Sequence, residues 1–168
     1  MDVARLSADL QNPNAAVRAA AAEKLAQAAE AVQPAAVALV AATADADDSV
    51  RQWATGALES LGPPLEPDAG KLAALLADPR LDVAYWAAML LGRLQSAAAA
   101  WTPQLTTALT SHPETAVRER AAWALGEIGP PAASALSALA AAAKQPSPRL
   151  ARLAVQAAAQ ISATNERG

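Results

Sequence analysis

The chain has 168 residues, with 13 basic and 16 acidic side chains, a net charge of −3 and no cysteine. This charge lacks the basic excess typical of nucleic-acid-binding domains, and the absence of cysteine excludes disulfides, thiolate zinc sites and cysteine nucleophiles. Alanine is the most frequent residue, phenylalanine is absent and strand-like alternation is hard to find, so the composition predicts an all-α protein.

Five branched aliphatic residues recur every 33 or 34 residues and mark five repeats. These anchors are Val17, Val50, Val83, Val117 and Leu150. Each repeat predicts a short helix A, a tight turn and a longer helix B that begins near the anchor. A single domain is expected over residues 1–168. Its five predicted repeats are 1–31, 32–62, 63–95, 96–129 and 130–163. A short polar tail is expected over residues 164–168.

Proline and glycine residues mark the expected starts and ends of helices in these repeats. Pro34, Pro103 and Pro131 suit the first turn of an A helix, where the missing N–H costs nothing. Gly62 and Gly129 follow B helices, where a residue with positive φ commonly ends a helix.

The B helices carry an apolar stripe that predicts their buried side. In the fourth repeat the stripe consists of Ala121, Ala124, Leu125 and Ile128. The first repeat breaks the pattern with Lys24, as an N-terminal capping repeat would. Gly92 and Gly126 lie beside the stripe, and because glycine weakens a helix, we expect neighbouring elements to approach closely there.

Residues 117–129, Val-Arg-Glu-Arg-Ala-Ala-Trp-Ala-Leu-Gly-Glu-Ile-Gly, resemble the helix-B signature of HEAT repeats, in the subgroup that also occurs in phycobilin lyases. Residues 50–62 and 83–92 are weaker copies. The resemblance implies a right-handed α–α superhelix, a HEAT-type α-solenoid of ten helices in five pairs. It also implies that the B helices line a concave side, where the family usually binds partners.

An arginine directly follows three of the anchors. The resemblance implies that such arginines form a structural ladder between repeats with an acidic residue of the turn, and an anion-binding role is the alternative. The residues expected in this ladder are Arg18, Arg51, Arg118, Asp47 and Glu114.

Helical spacing places a further set of residues on the B-helix face that points away from both packed sides. Aromatic residues, methionine and arginine are enriched at interfaces, so this set is the candidate binding patch. It consists of Trp53, Tyr85, Trp86, Met89, Arg93, Glu119, Arg120 and Trp123. We expect its aromatic side chains to be more exposed than the core leucines, and Trp86→Ala to cost little stability. The alternative is that Trp53 and Trp86 simply fill space between B helices.

Other residues carry weaker signals. His112, the only histidine, is expected to be solvated in its turn, and Trp101 is interpreted as a packing residue. Asp45, Asp47 and Asp48 lack the glycine and glutamate that would complete an EF-hand. No catalytic motif, metal site or cofactor is predicted.

These features favour a non-enzymatic, monomeric scaffold that binds an unidentified protein on its concave face. A cytoplasmic location is expected, because the chain starts without a secretory signal and no segment is apolar enough to span a membrane. The resemblance keeps a bilin lyase-like chromophore-handling protein as the alternative. A HEAT-like DNA glycosylase is disfavoured, because only Arg93 and Arg120 flank Trp86 and Trp123.

Overall fold

A computed structural model describes residues 2–163, except for the side chains of residues 29–31, so the tail predicted at 164–168 lies outside the described residues. Within this range the chain forms ten α-helices and no strand, which confirms the all-α prediction. The helices are α1 (Val3–Asp9), α2 (Ala15–Gln27), α3 (Ala36–Ala42), α4 (Asp48–Ser60), α5 (Ala69–Leu75), α6 (Leu81–Arg93), α7 (Thr102–Ser111), α8 (Thr115–Ile128), α9 (Leu136–Ala142) and α10 (Pro148–Ser162). Odd-numbered helices are the predicted A helices and even-numbered helices the B helices.

Side-chain caps and proline define where these helices begin. Asn14, Asp47 and Ser147 accept hydrogen bonds from backbone N–H groups in the first turns of α2, α4 and α10. Pro103 lies in the first turn of α7, as predicted. Short 3₁₀ segments lead into four of the five A helices, and Pro34 lies in the one before α3. No helix within residues 2–163 is long and apolar enough to cross a bilayer.

Positive φ angles mark the ends of three B helices. Gly62 and Gly129 have φ values of 67° and 74°, which confirms the prediction for both glycines. Gln95 occupies the same position after α6 and has a φ of 53°, an angle that a side chain disfavours. The third repeat therefore has a positive φ after its B helix without glycine.

The chain divides into two compact units, residues 1–68 and residues 69–168. In the first unit, α2 packs against α4, and Leu25, Leu39 and Leu58 are fully buried. In the second unit, α8 packs between α6 and α10, while α5, α7 and α9 cover one side of these B helices. The predicted stripe of α8 is buried as expected. The single domain expected over residues 1–168 stays a prediction.

The two glycines expected at close approaches, Gly92 and Gly126, lie where a side chain would meet a neighbour. A Cβ atom on Gly126 would lie 3.0 Å from the Cα atom of Ala157 on α10. A Cβ atom on Gly92 would overlap the indole ring of Trp123. Glycine at these positions therefore lets α10 and the Trp123 side chain come close, as the sequence predicts.

Candidate functional site

Seven of the eight predicted patch residues lie on α6 and α8, which pack side by side in the second unit. Five of them are in mutual ring or guanidinium contact, and we call them the arginine–aromatic cluster. Its members are Tyr85, Trp86, Arg93, Arg120 and Trp123. The spacing on two adjacent B helices thus brings the predicted residue types together.

Arg120 of α8 connects the two helices of the cluster. Its Cζ atom lies 4.7 Å from the ring centroid of Tyr85 and 5.2 Å from that of Trp123, both within the range of cation–π contacts. Its Nη2 atom also donates a 2.6 Å hydrogen bond to Tyr85 Oη. Its Nε atom is buried without a hydrogen-bond partner. The guanidinium group is therefore held in place by two rings and one hydroxyl.

A second arginine contacts the same cluster from α6. Arg93 Cζ lies 5.9 Å from the ring centroid of Trp86, and the ring of Trp86 meets that of Tyr85 edge to face at 5.9 Å. Burial lowers the pKa of Arg93, and the positive charge of Arg120 lowers it further, while Tyr85 opposes these effects. Two guanidinium charges thus share a partly dehydrated surface.

Exposure within the predicted patch is uneven. Trp86 is only 7% exposed, so the expectation that its ring lies at the surface is wrong, and packing against neighbouring side chains accounts for its position. Tyr85, Arg120 and Trp123 are half-buried and lie at the accessible edge of the cluster. Trp53 is 40% exposed, so the space-filling interpretation does not fit its ring.

The remaining predicted patch residues, Met89 and Glu119, are half-buried. Glu119 has structural contacts in the second unit. One of its carboxylate oxygens lies 3.3 Å from Arg149 Nε, and the other accepts a 3.4 Å hydrogen bond from the Ser147 hydroxyl. Because these partners lie at the start of α10, Glu119 connects α8 to α10.

Arg18 forms the ion pair predicted between repeats, but with a different aspartate. Its Nε and Nη2 atoms each lie 2.8 Å from an oxygen of Asp45, two residues before the predicted Asp47. Hydrogen bonding to Arg18 lowers the pKa of Asp45, although burial opposes this shift. Asp47 instead caps α4. The sequence interpretation missed Asp45 because the two aspartates lie in one turn and spacing alone does not assign their roles.

The other predicted ladder residues make local contacts. Arg51 Nη1 donates to the carbonyl oxygens of Asp45 and Ala46, and the Arg51 side chain pairs with Asp48. Arg118 Nη2 donates to Thr115 Oγ1.

Glu114 forms no ion pair within the part of the chain that the structure describes, so its predicted role as a ladder partner is wrong here. Its backbone N–H donates instead to His112 Nδ1 at 3.1 Å. The carboxylate is exposed, and the residue contributes to the turn through its main chain.

His112 is buried rather than solvated, contrary to the sequence expectation. Because its Nδ1 atom accepts from Glu114 N–H, its Nε2 atom carries the proton and donates to the Asp78 carbonyl oxygen at 3.1 Å. The ring thus joins two turns of the second unit. The residue is 34 positions from Asp78, so no local sequence signal indicates this contact. Trp101 is half-buried, and a Cβ atom placed on Gly70 would lie 3.1 Å from its indole ring, as expected near a packing residue.

A groove of about 330 Å³ lies between α5 and α7 in the second unit. His112 lies in its wall, together with apolar and uncharged polar side chains such as Leu76, Ala108 and Thr107. Its lining holds no arginine or carboxylate, so the groove lacks the charged groups that distinguish the cluster on α6 and α8.

The comparison with protein families agrees with this geometry. The family model for HEAT repeats matches residues 69–160, which span both helices of the cluster. No curated protein matches the sequence.

Solved structures with the same architecture include natural and designed repeat proteins. The complex of CpcE and CpcF of phycocyanin lyase from Nostoc sp. PCC7120 is 26% identical, with a TM-score of 0.67 over 97% of this chain and 66% of that chain. An engineered protein is 21% identical, with a TM-score of 0.65 over 96% of this chain and 79% of that one. A designed armadillo repeat protein in complex with the peptide (KR)4 is 18% identical, with a TM-score of 0.61 over 94% of this chain and 80% of that one.

Proposed function

Because the chain belongs to the HEAT-repeat family, we propose that it is a non-enzymatic scaffold that binds a partner protein on the α6–α8 face of its second unit. The arginine–aromatic cluster is the observation that carries this proposal. Tyrosine, tryptophan and arginine are the residues most often responsible for binding energy at protein interfaces. Arg120 is already held between Tyr85 and Trp123, so binding would cost little additional side-chain entropy.

Two structural neighbours support binding through this architecture. The phycocyanin lyase structure is a complex of two different chains, and the designed armadillo protein is in complex with a peptide. In our proposal the α6–α8 face binds its partner as such repeat surfaces do. Trp53 offers a separate candidate contact in the first unit, because its ring is exposed.

The scaffold itself is maintained by contacts away from the cluster. Arg18 and Asp45 join two repeats of the first unit, and His112 joins two turns of the second. Substituting these residues should therefore affect stability more than partner binding. We also assign a structural role to Arg51 and Arg118, because Arg51 donates to a main-chain oxygen of the turn before α4 and Arg118 donates to Thr115 at the start of α8.

Site-specific photo-crosslinking in the source cells would test the proposed face. A photoreactive amino acid at Met89, which is half-buried beside the cluster on α6, should crosslink to a discrete protein. The same amino acid at Ala140, exposed on α9, is the control. Loss of the Met89 product with Trp123→Ala would support binding at the cluster. Equal products at both positions, or none at Met89, would contradict the proposal.

A chromophore-handling protein is the second candidate function. The similarity to a phycocyanin lyase complex, 26% identical over 97% of this chain, is the observation that favours it. A titration of the purified chain with a free bilin, followed by visible absorption, distinguishes the candidates. A saturable spectral change that is lost with Trp123→Ala would favour chromophore handling, whereas an unchanged spectrum would favour the scaffold.

A further inference from the structure

We infer that the partner segment bound at the arginine–aromatic cluster is acidic, and that one of its carboxylates pairs with Arg120 beside the positive charge of Arg93. This inference rests on the proposed protein-binding function and specifies the chemistry of the partner. It follows from the donors that Arg120 leaves open, from the charges around the cluster and from the rings that fix both guanidinium groups.

Arg120 retains hydrogen-bond donors that its present contacts do not use. A guanidinium group has five N–H donors, and the only hydrogen bond of Arg120 within residues 2–163 goes from Nη2 to Tyr85. Nε is buried, so Nη1 and the second proton of Nη2 are the donors left for a ligand. These two atoms lie side by side at the end of the group, which is the geometry that binds a carboxylate through two parallel hydrogen bonds.

The charges around the cluster favour an anion. Burial and the charge of Arg120 both lower the pKa of Arg93, which means that the two positive charges lie close enough to repel each other. Glu119 is engaged by Arg149 and Ser147. Glu127, one turn beyond Trp123, forms no ion pair among the described residues, so it does not neutralise Arg120 either. A carboxylate from a partner would offset this repulsion in a partly dehydrated setting, where charge pairing is stronger than in bulk water.

The rings provide both specificity and rigidity. The guanidinium of Arg120 lies against Tyr85 and Trp123, and that of Arg93 lies against Trp86. An arginine held on an aromatic face loses little freedom when it binds a carboxylate, because its plane is already fixed. The half-buried edges of Trp123 and Met89 can contact apolar side chains that alternate with the acidic ones. A segment with alternating acidic and apolar residues therefore fits this face.

A titration with three fluorescently labelled peptides tests the inference. The peptides alternate leucine with glutamate, glutamine or lysine, so they share length and apolar content and differ in charge. The glutamate peptide should bind the intact chain about tenfold or more tightly than the glutamine peptide, and its affinity should fall as salt is raised. The lysine peptide should bind most weakly. Equal affinity for the glutamate and glutamine peptides would overturn the inference.

Arginine variants connect the charge preference to the cluster. Arg120→Gln should weaken binding of the glutamate peptide about tenfold, and Arg120→Lys should restore part of this loss because it keeps the charge. Lys144→Gln removes the same charge from the exposed turn after α9 and should leave binding unchanged. If Arg120→Gln fails to fold in a thermal melt, Arg93→Gln replaces it. Binding that is insensitive to the folded arginine variant would overturn the inference.

The outcomes also separate this inference from the proposed function. If the glutamine or lysine peptide binds best while Met89 still crosslinks to a protein in cells, the acidic partner is wrong and the scaffold function stands. If a single-stranded DNA oligonucleotide binds more tightly than the glutamate peptide, the cluster recognises phosphate, and the acidic protein segment is wrong. If no peptide binds measurably, the inference is also overturned, whereas the crosslinking result alone decides the proposed function.

Discussion

At the scale of single residues, the buried ring of Trp86 is expected to contribute to the stability of the fold. Its ring is buried against Tyr85 and Arg93, so Trp86→Ala would leave a cavity, and we expect a loss of about 3–5 kcal/mol in the free energy of unfolding. Trp53→Ala is the matched control, because that ring is 40% exposed and should cost about 1 kcal/mol or less. Urea denaturation of both variants checks the difference. Equal losses would mean that the Trp86 ring is not packed as described.

Substitution of Gln95 is expected to raise the free energy of unfolding, whereas substitution of Trp86 lowers it. The φ of 53° at Gln95 is unfavourable for a residue with a side chain, and glycines with positive φ, Gly62 and Gly129, follow the B helices of two other repeats. Gln95→Gly should therefore raise the free energy of unfolding by up to about 1 kcal/mol. Ala97→Gly, two residues later in the 3₁₀ segment, relieves no positive φ and should lower stability. A destabilising effect of Gln95→Gly in thermal melts would contradict the prediction.

At the scale of elements, the contact between α8 and α10 depends on Gly126. A Cβ atom there would lie 3.0 Å from Ala157 Cα, which belongs to the backbone and cannot move aside cheaply. Gly126→Leu should lower the free energy of unfolding by about 1–3 kcal/mol or more. Gly56→Ala on α4 is the control, because a Cβ atom meets nothing within 4 Å there and alanine should stabilise the helix by about 1 kcal/mol. A neutral Gly126→Leu would contradict the close packing of α8 against α10.

The helices also show which features of the structure can be predicted from the sequence. Periodicity predicts all ten helices and the meeting of Tyr85, Arg120 and Trp123, because a 3.6-residue period fixes which side chains share a face. It does not predict how deeply each side chain on that face is buried. Trp86 is 7% exposed whereas Trp53, 33 residues earlier in the repeat pattern, is 40% exposed, so the depth of burial depends on tertiary packing rather than on spacing.

Partners within turns were the other feature that the sequence could not assign. Asp45 and Asp47 both precede α4, and only the path of the backbone decides which one caps the helix and which one binds Arg18. His112 finds its partner in a turn 34 residues away. Both contacts depend on how neighbouring repeats stack, which helical periodicity leaves undetermined.

At the scale of the whole molecule, charge has two different roles. The chain is acidic overall, with a net charge of −3, yet the cluster on α6 and α8 places two arginines close together. An acidic partner would be repelled by the average charge and attracted to this local patch, which limits where it can bind. Elsewhere, some opposite charges are paired within the fold, and in the pair between Arg18 and Asp45 the side chains are only 16% and 13% exposed.

The Arg18–Asp45 pair should make the stability of the protein depend on acid pH. The hydrogen bond from Arg18 lowers the pKa of Asp45 below its ordinary value of 3.8, so the folded state binds a proton at this carboxyl less readily than the unfolded state does. The stabilisation is therefore complete above the ordinary pKa and is lost as pH falls through the lowered one. A double-mutant cycle with Arg18→Gln and Asp45→Asn, measured by urea denaturation, should give a favourable coupling at neutral pH. The coupling should decline towards zero once the pH falls below the lowered pKa of Asp45, and a coupling that persists there would show that charge pairing is not its source.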